Sequence, residues 1–137
     1  MFDDVIETDR INRRLEAIAE IGANDRGGVT CIAYSKEENE AFDYLRGELP
    51  SEYTVEEDQF GNLFATREPG ADRSIYLGSH LDSVYNGGRF DGKLGVVAGL
   101  EAIEALYASG AEPAVPPTLV IWRAEESSRF NVGTVGS

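Results

Sequence analysis

The chain has 137 residues, which is enough for one domain with a buried core and too few for two. Its 25 acidic side chains outnumber its 12 basic ones, so the formal net charge is −13 at pH 7. A surface of this sign repels phosphate backbones, which argues against nucleic acid as a partner and favours cations as ligands. The single cysteine, Cys31, excludes an internal disulfide and paired-cysteine zinc motifs.

The first ten residues, MFDDVIETDR, are acidic where a secretory signal would be basic and then apolar. No apolar run approaches the length of a membrane span. We therefore expect a cytoplasmic protein without a membrane partner. The basic residues are ten arginines and two lysines, which together with the acidic excess would suit a protein kept soluble at high salt.

Apolar side chains recur at helical spacing in the first third of the chain. A first helix is predicted to begin at a cap on Thr8 or Asp9 and to end near Glu20. A second helix is predicted to open at the capping box of residues 35–38 and to end before Pro50. Residues 53–66, YTVEEDQFGNLFAT, form two short strand-like runs around a turn and indicate a hairpin or a meander.

The pattern of apolar residues in the second half of the chain predicts a strand, a helix and a second strand. Residues 74–79 and 118–124 are nearly continuous apolar runs, which is typical of strands covered on both faces. An apolar helix is predicted between them, from Gly92 to about Ser109, with glycines that allow it to approach the sheet closely. The predicted fold class is α/β, a layered domain with a mixed, mainly parallel sheet flanked by helices.

Polar residues follow each of the two predicted parallel strands. His80 and Asp82 come after the first, and Glu125 and Glu126 come after the second. Ligand sites in such sheets lie outside the carboxyl ends of the strands, so these side chains are expected at one edge. Asp82 could fix the tautomer of His80, and Asp91 could bridge two cations about 3.5 to 4 Å apart. Adjacent glutamates should diverge, one toward a metal and one toward the substrate.

Simpler interpretations remain open for each of these residues. His80, the only histidine of the sequence, could be a hydrogen-bonded structural residue. Asp91 precedes a helix and could be its N-cap. Glu125 and Glu126 could form a solvated acidic loop that Arg129 neutralises without any metal.

Two stretches carry a family resemblance: GSHLDSVYNGGRFDGKLGVVAGLEAI, followed by VIWRAEESSRF. Together they resemble the hydantoinase/carbamoylase branch of the dinuclear-zinc aminoacylase and metallopeptidase superfamily. That branch includes N-carbamoyl-L-amino-acid hydrolases, allantoate amidohydrolases and β-ureidopropionases. The resemblance implies the N-terminal part of a zinc-aminopeptidase-like catalytic domain and covers nearly all of the chain.

The resemblance also implies a role for each site residue. His80 would bind the first metal, Asp91 would bridge both metals, and Glu126 would bind the second. Glu125 would be the general base that deprotonates the attacking water, and Asp82 would orient His80. The implied cofactors are two divalent ions, with zinc favoured and manganese, cobalt or nickel able to replace it.

The resemblance also implies that Gly92 follows a cis peptide, as a similar position does in relatives. The sequence departs from the family pattern at two points. Ser127 stands where the branch usually has glycine, and the chain lacks the further histidines and the lid and dimerisation domain that relatives supply from later in their sequences. We therefore expect residues 1–137 to form an incomplete catalytic domain that binds metal weakly and has an open sheet edge able to form a homo-oligomer.

The function predicted from the sequence is hydrolysis of a linear amide or ureido bond in a small-molecule substrate, such as an N-carbamoyl-L-amino acid or an allantoate-like compound. Two alternatives remain open. One is a peptidase or deacylase of the same superfamily. The other is a non-catalytic acidic α/β module that binds a cation or a partner chain.

Overall fold

The computed structural model describes residues 5–137, and the first four residues of the acidic N-terminal stretch lie outside the described residues. The described part forms three helices and four strands: α1 (Thr8–Glu20), α2 (Lys36–Glu48), β1 (Thr54–Glu57), β2 (Leu63–Thr66), β3 (Ile75–His80), α3 (Lys93–Ala108) and β4 (Pro117–Trp122). Each helix in this part is too short or too polar to cross a bilayer.

Helix α1 begins at Thr8, so its N-cap precedes both predicted caps. Its N-cap is Glu7, which makes no side-chain capping bond, so the expectation of a cap at Thr8 or Asp9 is wrong. The physical reason is a tertiary contact. The backbone N–H of Glu7 donates to the Glu101 carboxylate of α3 at 2.8 Å, and Arg10 donates to the same group. A neighbouring helix therefore satisfies the end of α1.

Helix α2 begins at the predicted capping box, but only half of the box forms locally. Ser35 is the N-cap, and its hydroxyl accepts from the backbone N–H of Glu38 at 3.2 Å. The Glu38 side chain turns to the N–H of Tyr34, at 2.6 Å, and to Arg123, whose guanidinium lies 2.5 Å away. Glu38, the last residue of the predicted capping box, is thus also a buried acidic residue that pairs with Arg123.

The four strands form one sheet in the order β1-β2-β4-β3. Strands β1 and β2 form the predicted hairpin, β2 joins β4 in antiparallel orientation, and β3 runs parallel to β4. The prediction of a mixed sheet flanked by helices is confirmed. Its parallel part is limited to β3 and β4 because the hairpin supplies the other two pairings.

All three helices share one apolar core with the inward-facing residues of the sheet: Leu15, Ile18, Ala41, Phe42, Leu45, Leu63, Ala65, Leu81, Val96, Val97, Leu100, Ile103, Leu119 and Ile121. On the other side of the sheet, Phe64 contacts Tyr76 and Trp122 with ring centroids 5.8 and 5.9 Å apart. The helices therefore pack mainly on one face.

The two apolar strands differ in burial. Strand β4 is central and buried at five of its six positions, as predicted for a strand covered on both faces. Strand β3 is an edge strand that is exposed at three of its six positions and buried only at His80, so the same prediction for residues 74–79 is wrong. An apolar run indicates that a strand can be buried. It does not indicate whether another segment of the described chain packs over that strand.

Helix α3 lies unusually close to β3. A Cβ atom on Gly95 would be 2.7 Å from Ser79 Cβ, and one on Gly99 would be 3.2 Å from the backbone nitrogen of Gly78. Both distances are short for a carbon in van der Waals contact. The two glycines therefore allow the close approach of helix and sheet that the sequence predicted.

We expect Gly95→Ala to destabilise the fold by about 1 to 3 kcal/mol, because the new methyl group must push α3 away from β3. Urea unfolding followed by circular dichroism measures this change. Gly47→Ala is the matched control, because Gly47 lies within α2 and a Cβ there would meet nothing within 4 Å. That substitution should be neutral or stabilise by up to about 1 kcal/mol. Equal effects at the two glycines would contradict the close packing.

Candidate metal centre

The predicted site residues lie at the carboxyl ends of the two parallel strands. His80 is the last residue of β3 and is paired in register with Trp122, the last residue of β4. The chain after β4 then carries Glu125 and Glu126, while the loop between β3 and α3 carries Asp91. The parallel pairing thus brings two segments that are far apart in sequence to one edge of the sheet.

Three of these residues form a group able to hold a metal ion, and we refer to His80, Asp91 and Glu126 as the candidate metal centre. One ligand atom from each lies within 4.8 Å of the others. His80 is buried at 7% exposure, Glu126 is half-buried and Asp91 is exposed. One imidazole nitrogen and two carboxylates suit a divalent transition-metal ion.

Asp91 is not the N-cap of α3, so its simpler interpretation is wrong. The cap is Gly92, with a φ of 69°, and the backbone N–H of Lys93 donates to the carbonyl of Asp91 at 2.8 Å. A Cβ on Gly92 would lie 2.6 Å from Cε1 of His80. Glycine therefore satisfies both the left-handed conformation and the contact with the imidazole.

Asp82 connects the two halves of the site. Its carboxylate is fully buried and accepts the backbone N–H of Glu125 at 3.3 Å and that of Glu126 at 2.9 Å. The same carboxylate lies 3.3 Å from Nδ1 of His80, and the carbonyl of Asp82 lies 3.0 Å from that nitrogen. Two acceptors at Nδ1 favour the tautomer with its proton there, which leaves the lone pair of Nε2 free for a metal.

Glu125 and Glu126 have different surroundings, as expected for neighbours at a strand end. Glu126 belongs to the candidate metal centre, whereas Glu125 does not. An oxygen of Glu125 lies 3.5 Å from Nε2 of His80, and its side chain is 36% exposed. Glu125 therefore stands beside the centre, with access to solvent or substrate.

Two groups of the site have shifted pKa values. Burial alone would lower the pKa of His80, but the hydrogen bond and charge of Asp82, helped by Glu125, raise it above its ordinary value. Burial raises the pKa of Glu126, and a hydrogen bond with Asp91 raises it further. Two carboxylates this close repel each other, so the acid pair is suited to binding a cation.

Two expectations about the surroundings of the site are wrong. Arg129 donates to the backbone carbonyl of Ala33 at 3.0 Å, and no ion pair joins it to either glutamate within residues 5–137. The carbonyl is an acceptor in a fixed position, while the glutamate side chains turn toward His80 and Asp91. The peptide bond before Gly92 is trans, since the described backbone contains no cis bond.

Sequence reasoning missed a buried polar layer that supports the loop after β4. Asn62 is fully buried, and its side-chain oxygen accepts from the backbone N–H of Arg123 at 2.7 Å. Its amide nitrogen donates to Asp58 at 2.8 Å and to the carbonyl of Gly136. The sequence of Phe60-Gly61-Asn62 predicts a turn. It does not indicate that the side-chain amide of Asn62 reaches β4.

Sequence reasoning also missed Lys93. Its side chain is fully buried at the first residue of α3, and its Nζ has no hydrogen-bond partner among the described residues. Burial lowers its pKa, while the acidic side chains of Asp82, Asp91 and Glu126 act in the opposite direction. A lysine inside an otherwise apolar helix start was the signal available in the sequence.

Several named proteins similar to this chain are amidohydrolases. An N-carbamoyl-L-amino acid amidohydrolase of Geobacillus stearothermophilus is 39% identical over 136 residues, which cover 97% of this chain and 33% of that protein. An allantoate amidohydrolase of Bacillus subtilis is 35% identical over 128 residues, which cover 90% of this chain and 31% of that protein. The chain thus spans about one third of the length of these relatives.

A crystal structure of a hydantoinase/carbamoylase family amidase from Burkholderia ambifaria has a similar fold. It superposes with a TM-score of 0.88 at 37% identity and covers 96% of this chain and 33% of its own. A further comparison matches residues 62–137, which is more than half of the chain, to the profile of Peptidase family M28. The matched stretch contains the candidate metal centre together with Asp82 and Glu125. The chain therefore belongs to Peptidase family M28.

Proposed function

We propose that this chain carries part of the active site of a metal-dependent hydrolase that cleaves linear amide or ureido C–N bonds. The substrates we propose are an N-carbamoyl-L-amino acid or an allantoate-like compound, the classes named for the relatives. The observation that carries this proposal is the convergence of His80, Asp91 and Glu126, with Glu125 immediately beside them.

The donor atoms of the centre suit the proposed cofactor. Catalytic zinc sites commonly have three protein ligands, and the centre offers one nitrogen and two carboxylates. Manganese, cobalt or nickel could occupy the same mixed set. A bound ion would polarise the scissile carbonyl as a Lewis acid. The second ion implied by the family resemblance stays a prediction, with Asp91 as the shared ligand.

Glu125 is the residue we propose as general base. Its carboxylate lies beside His80 without belonging to the centre, so an oxygen remains free to accept a proton from an attacking water. The same carboxyl group would then return that proton to the leaving nitrogen. Asp82 acts as a positioning residue, because it holds the imidazole and the backbone of both glutamates.

We propose that the activity requires residues beyond those described. The centre contains His80, the sole histidine of the sequence, and the chain spans one third of the named amidohydrolases. The 137-residue chain alone is therefore expected to bind metal weakly and to turn over little substrate. That residues 1–137 form only part of a catalytic domain stays a prediction.

A peptidase is the second candidate function, because the matched family is named for peptidases. Assays of the intact gene product on N-carbamoyl amino acids, allantoate and dipeptides separate the two candidates. Preferred hydrolysis of the ureido substrates supports our proposal, and preferred cleavage of dipeptides overturns it. Absence of any hydrolysis by a metal-loaded intact product would favour a non-catalytic cation-binding module.

We expect divalent zinc to raise the melting temperature of the chain, because the ion relieves the repulsion between Asp91 and Glu126. At 100 times the dissociation constant, binding adds about 2.7 kcal/mol to the free energy of unfolding. Differential scanning fluorimetry across a zinc series measures the shift, and calorimetry gives the stoichiometry. Submicromolar zinc binding at two sites, together with substrate turnover by this chain, would contradict the prediction that its catalytic domain is incomplete.

The adjacent glutamates supply a matched control for this experiment. Glu126→Gln should abolish most of the zinc-dependent shift, because it removes a ligand. Glu125→Gln should keep the shift, because that side chain lies outside the centre. In the intact gene product, Glu125→Gln should still bind metal but lose most hydrolysis. Equal loss of zinc binding in the two variants would contradict the assigned roles.

We expect Asp82→Asn to weaken both stability and metal binding. The amide cannot accept both backbone N–H groups and still face Nδ1 of His80, so the cost is about 1 to 3 kcal/mol of unfolding free energy. Loss of a partner that orients a ligand histidine typically weakens metal affinity about 10- to 100-fold. Urea titration and zinc calorimetry measure both effects. Asp72→Asn is the control at an exposed position, and an equal effect there would refute the assignment.

A further inference from the structure

A buried arginine stands at the end of the central strand, just before the loop that carries Glu125 and Glu126. Arg123 follows the last residue of β4 and is 7% exposed. Because residues alternate between the two faces of a strand, Arg123 continues the row of Leu119 and Ile121, which pack in the apolar core. A guanidinium in such a place needs a partner, since burying an unpaired charge is costly.

Helix α2 supplies this partner. Nη1 of Arg123 donates to a carboxylate oxygen of Glu38 at 2.5 Å, and Glu38 is itself fully buried. Nε donates to the carbonyl of Gly61 at 3.2 Å, and the guanidinium carbon lies 3.6 Å from the centroid of the Phe42 ring. Burial raises the pKa of Glu38, while the N–H of Tyr34 and the charge of Arg123 lower it. The arginine and the carboxyl group therefore stabilise each other.

The backbone of Arg123 is also fixed at both of its polar groups. Its N–H donates to the side-chain oxygen of Asn62 at 2.7 Å, and its carbonyl accepts the N–H of Gly136 at 3.1 Å. A Cβ on Gly136 would lie 2.3 Å from that carbonyl oxygen, so the two segments pack tightly. Arg123 is thus held by main-chain and side-chain bonds just before the chain turns toward the candidate metal centre.

The next residue has a strained backbone. Ala124 is fully buried and has a φ of 52°, in the left-handed region that alanine rarely adopts. Such a conformation persists only where the surrounding structure fixes the chain. Asp82 fixes the chain after this residue, because it accepts the N–H groups of Glu125 and Glu126. Arg123 fixes the chain before it.

We propose that Arg123 is a positioning residue of the candidate metal centre. Paired with Glu38, it keeps Ala124 in the left-handed turn, and that turn places Glu126 opposite His80. The role assigned to Arg123 rests on the proposed function, since it concerns the geometry of the same centre. The described residues themselves bury Arg123, Glu38 and Ala124. The role therefore does not depend on any exposed surface of the chain.

Zinc calorimetry on the intact gene product tests the proposal, with urea unfolding measured on the same variants. Arg123→Met removes the pair with Glu38 and should weaken zinc binding by about tenfold or more, as loss of a group that orients a ligand does.

Arg14→Met is the matched control. Arg14 is 3% exposed, and its partners Glu48 and Glu104 lie in the last turns of α2 and α3, whereas the centre lies at the start of α3. Its loss should also lower the stability, because it leaves buried carboxylates without their partner. It should change zinc affinity by less than about twofold, since separate sites act independently.

The substitution Ala124→Gly separates positioning from general stability, because glycine adopts the left-handed conformation without strain. Added to Arg123→Met, it should recover most of the lost zinc affinity, whereas a loss caused only by weaker packing would not recover. The visible spectrum of bound cobalt(II) is a second readout, which Arg123→Met should change and Arg14→Met should not. If Arg123→Met does not fold, Arg123→Lys should still weaken zinc binding, because lysine cannot donate to both Glu38 and Gly61 in the geometry of a guanidinium.

The outcomes distinguish this role from the proposed function. Zinc binding that the substitutions at Arg123 leave unchanged, or that Arg14→Met weakens equally, overturns the positioning role and leaves the proposed function standing. Failure of Ala124→Gly to recover any affinity also overturns the role. Absence of zinc and cobalt binding by the wild-type intact product overturns both.

Discussion

The buried carboxylate of Asp82 is the interaction on which the site depends. It lies at the end of one strand and binds the backbone that follows the neighbouring strand, so it fixes the distance between two segments 43 and 44 residues apart in sequence. The same group faces Nδ1 of His80. A hydrogen bond that a backbone N–H donates to a carboxylate is stronger than one between neutral groups. The orientation of His80 and the position of Glu126 are therefore set together.

Asp91 reaches the site by a different constraint, the close packing of α3 on β3. Gly95 and Gly99 let the helix approach the strand, and Gly92 lets the chain turn against the imidazole. A bulkier residue at any of these positions would displace the helix start and carry Asp91 with it. These three glycines thus position the backbone, whereas His80 and the acidic residues supply the groups that can bind a metal.

The meeting of these residues at one edge could be predicted from the sequence, because the apolar runs and the helix between them imply parallel strands whose ends coincide. The exposure of β3 could not, because periodicity reports apolar character and not the presence of a neighbour. The cap of α1, the direction of Arg129 and the path of Asn62 also escaped prediction. Each depends on a long-range partner, namely Glu101, Ala33 and Arg123, and local sequence contains no signal for such partners.

The electrostatics of the centre connect its structure to its ligand. Four carboxylates, those of Asp82, Asp91, Glu125 and Glu126, lie near one imidazole in a protein that already carries a large negative charge. Lys93 is a buried basic residue at the start of α3. Burial lowers the pKa of Lys93, because a low-dielectric environment disfavours the charged ammonium. Asp82 and Glu125 raise the pKa of His80 against the effect of burial, and burial together with Asp91 raises the pKa of Glu126, so both groups keep their protons to a higher pH than the free side chains do. A divalent cation can replace those protons, so metal binding should release them and strengthen as the pH rises through the pKa values of these groups.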